Sequence, residues 1–173
     1  MMASQIDVVE GDICRLKVDA LVNAANHSLL GGGGVDGAIH RAAGPALLRY
    51  CRTLGGCATG EARLTPGFNL PAAWIIHTVG PVWYGGDRGE AQLLARCYQS
   101  VFECVRAEAI ASLAFPAISC GVYGYPPEQA VQIAVKTVRR ELELLDRPLR
   151  VLFCCFDAAM AARYRQALQE GVG

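Results

Sequence analysis

The chain of 173 residues is 53% hydrophobic and 18% charged, a composition that can bury one hydrophobic core without metals or disulfides. Its 16 basic and 16 acidic side chains cancel, so no net field attracts a nucleic acid or an anionic membrane. We therefore expect a single domain over residues 1–173 with neither of these partners. A small anionic ligand remains compatible, because backbone N–H groups can bind phosphate without Lys or Arg.

Short β-branched or apolar segments alternate with helical patterns along the chain. The segments predict strands at 6–9, 20–24, 62–64, 74–79, 112–117 and 150–156. Apolar residues spaced three and four apart predict helices at 35–43, 45–53, 91–109, 127–145 and 158–169. Several strands are apolar on both faces, which is typical of a sheet covered by helices on both sides. The predicted fold class is α/β, in which ligands bind at the loops that follow strands.

The eight cysteines have the pattern of small core residues. None forms a C-x-x-C pair, and Cys154 and Cys155 are adjacent within an apolar run. The N-terminal residues lack a basic region followed by an apolar stretch, and no segment approaches ~18 uninterrupted apolar residues. We expect a reduced, cytoplasmic protein that uses no metal or other cofactor.

Four consecutive glycines, Gly31 to Gly34, follow the second predicted strand. Glycines cost backbone entropy on ordering, so a packed domain keeps them where the main chain takes a positive φ or lies against something. Because a helix is predicted from Val35, the N–H groups of Gly33, Gly34 and Val35 would point outward at the positive end of its dipole. The run lacks the features of a P-loop or a dinucleotide fingerprint. It is either an anion cradle or a flexible turn.

Four polar side chains accompany this run: Asn23, Asn26, Asp36 and His40. Asp36 lies in the first helical turn, where a carboxylate also stabilises the helix dipole. His40 follows four residues later on the same helix face, so it could contact Asp36 or the same ligand. The pattern supports a catalytic and a structural interpretation alike.

The loop after the fifth predicted strand has a similar character. Its glycines allow close approach of the backbone, while the hydroxyl of Ser119 and several N–H groups could bind phosphate oxygens. Tyr123 and Tyr125 could form a flat lid over a ring or sugar, or be ordinary surface aromatics. No base is identifiable beside Cys120, so we do not interpret this cysteine as a nucleophile.

Three further residues have two interpretations each. Asp12 could accept a hydrogen bond from an adenine amino group or cap the next turn. Phe156 could stack on adenine or close the core, and the core is the favoured interpretation. His77 lies inside an apolar strand, so we interpret it as a structural histidine and leave it out of the site.

Five segments together resemble the macrodomain family in order and spacing: Gly11-Asp12-Ile13, Val22 to Asn26, Gly31 to His40, His77 to Pro81 and Ala114 to Ser119. The resemblance spans nearly the whole chain. The stretches GGGGVDGAIHRAAGP and GVYGYP are similar to the bacterial O-acetyl-ADP-ribose deacetylase branch, which is related to MacroD-type hydrolases. Two departures are Cys120, where relatives often have Thr, and His27, where Pro is common.

The resemblance implies a three-layer αβα sandwich around a mixed sheet, with ADP-ribose lying between the two glycine loops. By this resemblance Asp12 and the Ile13 N–H hold adenine, with Phe156 beside it, and Asn23 is a further ligand-binding candidate. The residues implied to wrap the diphosphate are Gly33, Gly34, Val35, Ser119, Cys120, Gly121, Val122 and Tyr123. Those implied to surround the distal ribose are Asn26, Asp36 and Tyr123.

The implied activity is ester hydrolysis without a metal. Asp36 would orient water, Asn26 would fix the ribose hydroxyls and Tyr123 would restrict the sugar's pose, with His40 as an assistant. The expected ligands are ADP-ribose and O-acetyl-ADP-ribose, and mono-ADP-ribosylated proteins are a further class, because their link to Asp or Glu is also an ester. The alternative is a reader module that binds ADP-ribose without turning it over.

Overall fold

The computed structural model describes residues 3–170, whose strands form one six-stranded sheet. The strands are β1 (Gln5–Glu10), β2 (Ala20–Ala24), β3 (Ala62–Pro66), β4 (Trp74–Thr78), β5 (Ser112–Phe115) and β6 (Arg150–Cys155). Their order across the sheet is β1-β6-β5-β2-β4-β3. Only β3 and β4 pair in antiparallel fashion, and the other neighbours are parallel. The sheet is therefore mixed, with its antiparallel pair at one edge.

Within residues 3–170, five α-helices cover the two faces of the sheet. They are α1 (Gly34–Ala43), α2 (Pro45–Arg52), α3 (Glu90–Ala107), α4 (Pro127–Leu144) and α5 (Ala158–Glu170). One core contains the buried residues of α1 and α2, and the other contains those of α3, α4 and α5. Alternate strand residues supply them: Leu21 and Ile75 pack in the first core, Val22 and Ile76 in the second. This confirms the predicted αβα sandwich.

Each predicted helix and strand is present, and the differences lie at the ends. The strand predicted at 112–117 stops at Phe115, because Pro116 has no N–H to continue the ladder. The helix predicted at 91–109 stops at Ala107, since Glu108 takes an extended conformation. No helix within residues 3–170 combines the length and apolarity needed to cross a membrane.

The core interpretation of Phe156 is wrong. The strand β6 ends one residue earlier, at Cys155, and the Phe156 side chain is 74% exposed. An aromatic ring left in solvent at the end of a central strand has apolar area available for a ligand.

Candidate functional site

A cavity of about 540 Å³ opens beyond the carboxyl ends of β2, β5 and β6. Ligands of open α/β sheets bind at this position. The volume also falls within the range of small-molecule sites, roughly 300–1,000 Å³. The lining residues are Ala24, Ala25, Asn26, Gly32, Gly33, Gly34, Val35, Asp36, Gly80, Pro116, Ala117, Ser119, Cys120, Gly121, Val122, Tyr123, Cys154, Cys155, Phe156, Asp157 and Met160.

The first glycine loop is held in shape by Asn26. The side-chain Nδ2 of Asn26 donates to the Gly31 carbonyl at 3.0 Å, and its Oδ1 accepts from the Ser28 hydroxyl at 2.6 Å. Gly31 and Gly34 have φ values of 94° and 57°, which side chains other than glycine rarely adopt. Two glycines of the run are thus required by the shape of the loop.

The same loop presents the N-terminus of α1 to the cavity. The N-cap residue is Gly33, whose lack of a side chain leaves the first-turn N–H groups without a side-chain partner. The charged side chains among the described lining residues are Asp36 and Asp157, both acidic. An anion in this cavity would thus meet backbone N–H groups and the helix dipole rather than a cationic side chain, and phosphate binding by Gly33, Gly34 and Val35 stays a prediction.

The second loop, residues 119–124, forms the opposite wall. Ser119 has a φ of 67°, and its hydroxyl donates to the Pro81 carbonyl at 2.8 Å, so this hydrogen is committed to the loop rather than to a ligand. Tyr123 lines the cavity. Tyr125 does not: it is 2% exposed and packs on Trp83 with ring centroids 4.7 Å apart, so the lid interpretation is wrong for Tyr125.

Asp36 lies between the cavity and the buried polar residues behind it. It lines the cavity at 4% exposure, and its Oδ1 accepts from Asn23 Nδ2 at 2.8 Å. A methyl group built on Gly32 would lie 3.2 Å from Asp36 Oδ2 and 3.3 Å from Asn26 Nδ2. The second carboxylate oxygen and the Asn26 amide therefore flank the Gly32 backbone at the cavity, where a sugar hydroxyl or ester can meet both.

The remaining predicted residues lie outside the cavity lining. His40 was predicted to contact either Asp36 or the ligand. Its Nε2 atom lies 3.6 Å from Asp36 Oδ1, so the structure shows the contact with Asp36. Asn23 is fully buried behind Asp36. Asp12 accepts from the Cys14 N–H at 2.9 Å and caps the turn at Ile13–Arg15, and Ile13 is 3% exposed. Asn23 thus supports Asp36 from behind and His40 adjoins the same carboxylate, whereas Asp12 and Ile13 belong to the turn that follows β1.

The thiols at the cavity are poor nucleophiles. Burial raises the pKa of Cys120 to about 11, that of Cys154 to about 11 and that of Cys155 to about 12. Since the thiolate is the reactive form, these cysteines are inert at neutral pH. No cluster of three His, Cys, Asp or Glu side chains suited to a metal occurs among residues 3–170.

His77 is the buried neighbour of Asn23. The two residues are paired in register on β2 and β4, and Asn23 Nδ2 lies 3.1 Å from His77 Nδ1. His77 Nε2 lies 2.9 Å from Thr65 Oγ1. Burial, with a smaller contribution from His40, lowers the pKa of His77 to about 3, so its ring is neutral at physiological pH. The predicted structural histidine is thus hydrogen-bonded to the residue that contacts Asp36.

Acid should destabilise the protein through His77. The unfolded chain has an ordinary histidine pKa of 6.5, so between pH 6.5 and about 3 it binds a proton that the folded state excludes. Stability is therefore lost as pH falls through this window. Between pH 7 and pH 4 we expect His77 to account for about 3 kcal/mol of unfolding free energy. Urea unfolding at pH 7 and pH 4 measures this loss of unfolding free energy, which should be about 3 kcal/mol smaller in His77→Gln than in the wild type. Equal losses in the two proteins would contradict the assignment of the acid effect to His77.

The segment 81–89 braces the second loop. Trp83 N–H donates to the Tyr123 carbonyl at 2.8 Å. Glu90, at the start of α3, accepts from the N–H groups of Tyr84, Gly86 and Arg88 at 2.9, 2.9 and 2.6 Å. These bonds, that of Tyr84 foremost, lower the pKa of Glu90 to about 2. The carboxylate is thus a fixed anchor for this segment.

We expect Glu90→Gln to lower the Tm at pH 7, because a neutral amide offers one acceptor oxygen to three donors. The folded pKa lies below the ordinary value of 4.5, so the stabilisation is complete above pH 4.5 and is lost as pH falls toward 2. Thermal melts at pH 7 and pH 3 should show a smaller difference from the wild type at pH 3. Glu103→Gln, at an exposed position of the same helix, is the matched control and should leave the Tm unchanged.

Sequence reasoning missed several lining residues. Gly32 was within the glycine run but had no role of its own, and Gly80 was within the segment His77 to Pro81. A Cβ on Gly80 would lie 2.2 Å from Ser119 Oγ, so glycine is required for the second loop to approach. Asp157 and Met160 follow β6, and their position after a predicted strand was the available signal.

An αβα sandwich with two glycine loops beyond the parallel strand ends, an uncapped helix N-terminus and one carboxylate between them defines a domain that binds a phosphorylated sugar or nucleotide. The sequence model of the Macro domain matches residues 22–134. The chain belongs to the macro domain family.

Relatives and solved structures agree with this assignment. The chain is 57% identical over 171 residues to an O-acetyl-ADP-ribose deacetylase of Klebsiella pneumoniae, covering 96% of this chain and 98% of the relative. It is 56% identical over 166 residues to a macro domain-containing protein of Chlorobaculum tepidum, covering 96% of each. A Trypanosoma brucei macrodomain in complex with ADP-ribose superposes with a TM-score of 0.89 at 44% identity, over 95% of this chain and 69% of that one.

Proposed function

We propose that this protein binds ADP-ribose in the cavity and hydrolyses the acetyl ester of O-acetyl-ADP-ribose to acetate and ADP-ribose. The observation that carries the proposal is Asp36. One of its carboxylate oxygens is engaged by Asn23, while the other lies beside Gly32 and the Asn26 amide at the cavity. Deacetylases from Klebsiella pneumoniae and Salmonella gallinarum, 57% and 51% identical to this chain, support the same activity.

The two glycine loops bind different parts of the ligand. Backbone N–H groups at the start of α1 and along residues 119–123 hold the diphosphate, which places the distal ribose toward Asn26 and Asp36. Asn26 has one amide hydrogen bonded to Gly31, and the second is free to donate to a ribose oxygen. Tyr123 closes the same end of the cavity. The ester is thus positioned before any proton moves.

Asp36 then acts as a general base. Its free oxygen takes a proton from water while the water oxygen forms a bond to the acyl carbon. The tetrahedral intermediate collapses, the bond from the acyl carbon to the ribose oxygen breaks, and that oxygen recovers the proton. A carboxylate base contributes about 10²- to 10⁴-fold, so positioning must supply much of the remaining rate. The Nε2 atom of His40 lies 3.6 Å from the Asp36 Oδ1 atom, on the side of the carboxylate that Asn23 engages.

The same chemistry extends to mono-ADP-ribosylated proteins modified on Asp or Glu. Their linkage is an ester to the distal ribose, so the bond that breaks meets the same base. The observation that favours this second substrate class is the open rim of the second loop, where Val122, the neighbour of Tyr123, is 101% exposed.

Acetate release tests the proposal against a pure reader function. The protein is mixed with O-acetyl-ADP-ribose, and acetate is followed by proton NMR while ADP-ribose binding is measured by calorimetry. We expect binding together with catalytic release of acetate. Binding without release overturns the enzyme proposal and supports the reader. Steady-state kinetics on an ADP-ribosyl-glutamate protein, run alongside, ranks the two ester substrates by kcat/KM.

A further inference from the structure

A row of buried polar side chains leads from the cavity to the edge of the sheet. Its members are Asp36 on α1, Asn23 on β2, His77 on β4 and Thr65 on β3. The successive distances are 2.8, 3.1 and 2.9 Å. Each of the four residues is at most 4% exposed. Polar groups this deeply buried are costly unless paired, so the row calls for a physical explanation.

The hydrogen positions in this row follow from its two ends. The Asp36 carboxylate can only accept, so Asn23 must present its NH₂ group, and the second hydrogen of that group points to His77 Nδ1. His77 Nδ1 must then accept, which places the proton of the neutral ring on Nε2. That proton is donated to Thr65 Oγ1, whose own hydrogen goes to the Pro66 carbonyl at 3.1 Å. Every donor in the row meets an acceptor in only this arrangement.

Thr65 stabilises this orientation of the Asn23 amide, because its oxygen accepts the His77 Nε2 proton while its own hydrogen goes to the Pro66 carbonyl. If the His77 proton moved to Nδ1, an N–H would face the NH₂ group of Asn23, and the amide would have to turn. Turning it would set Asn23 Oδ1 against the Asp36 carboxylate, a contact between two acceptors. The tautomer of His77 and the placement of Asp36 are thus linked through a single amide group.

We propose that Thr65 and His77 are positioning residues for the hydrolysis: Thr65 holds His77 as the Nε2–H tautomer, which orients Asn23 so that the catalytic Asp36 keeps one oxygen toward the cavity. This inference rests on the proposed function for its kinetic consequence, whereas the hydrogen-bond order stands by itself. Neither Thr65 nor His77 lines the cavity, so both act through Asn23.

The kinetic test is Thr65→Val, which removes the hydroxyl and nearly conserves shape. We expect kcat for O-acetyl-ADP-ribose to fall about fivefold or more, the factor that one lost hydrogen bond represents. KM should change less than about twofold, because the ligand contacts are untouched. Thr65→Ser restores the hydroxyl and should restore kcat. Thr78→Val is the matched control: this buried strand threonine adjoins His77 in sequence but bonds to the Glu61 carbonyl, outside the row.

The structural test uses ¹⁵N NMR of the histidine rings, which distinguishes a protonated from an unprotonated ring nitrogen without turnover. In the wild type we expect His77 to carry its proton on Nε2, and in Thr65→Val to populate the Nδ1–H form. A wild-type proton on Nδ1, or an unchanged tautomer in Thr65→Val, overturns the proposal, as does an unchanged kcat. Absence of acetate release by the wild type defeats the proposed function instead, and the NMR result still decides the order of the hydrogen bonds.

Discussion

Replacing Asp36 by Asn should lower kcat for O-acetyl-ADP-ribose by about 10²- to 10⁴-fold, the contribution of a carboxylate general base. The amide is isosteric, and its oxygen can still accept from Asn23, so the fold and α1 should be retained. Affinity for ADP-ribose should change by less than about threefold, because diphosphate binding depends on backbone N–H groups. Acetate release under saturating substrate measures kcat, and calorimetry with ADP-ribose measures the Kd.

Asp157→Asn is the matched control for this experiment. Asp157 is the other charged residue among the described ones that line the cavity, and its side chain caps α5 by accepting from the Met160 N–H at 2.8 Å. Asparagine caps as well as aspartate, so the helix should be unaffected. We expect kcat to stay within about twofold of the wild type. Equal losses in the two variants would show a general electrostatic effect of the cavity and contradict the assignment of Asp36 as the base.

The elements that the sequence predicted best are those with local signals. Buried strands such as β6 show a continuous apolar run from Val151 to Cys155, and the helices show the periodicity of one buried face. The position of Asp36 beside a glycine run was visible for the same reason, since loop and helix start are adjacent in the chain. Two-sided burial also predicted helices on both faces of the sheet.

What the sequence did not show depends on contacts between distant segments. The pair of Asn23 and His77 exists because β2 and β4 are neighbours in a register that places these residues opposite each other, 54 positions apart. Tyr125 is buried because segment 81–89 brings Trp83 against it. Phe156 is exposed because β6 ends at Cys155. Strand order and register decide such facts, and neither has a local sequence signature.

A substitution at Gly32 should impair turnover and binding of the distal ribose while leaving diphosphate binding unchanged. The exposed Gly32 backbone lies between Asp36 Oδ2 and Asn26 Nδ2, and a methyl group there would sit 3.2 and 3.3 Å from them. Gly31 and Gly34 are required by positive φ, whereas no such strain applies at Gly32. Gly32→Ala should therefore fold normally with small adjustments of the two side chains. The methyl group would occupy the space that the ribose ester needs.

We expect Gly32→Ala to lower kcat/KM for O-acetyl-ADP-ribose by about 10²-fold, since a displacement of about 1 Å at a reacting centre has an effect of this size. Calorimetry with two ligands locates the cause. ADP-ribose should bind more weakly, because its distal ribose meets the methyl group. ADP lacks that ribose and should keep its wild-type Kd, because the N–H groups at the start of α1 remain in place. An equal increase in the Kd of both ligands would mean that the substitution distorts the loop that binds the diphosphate. The assignment of Gly32 to the distal ribose would then be wrong.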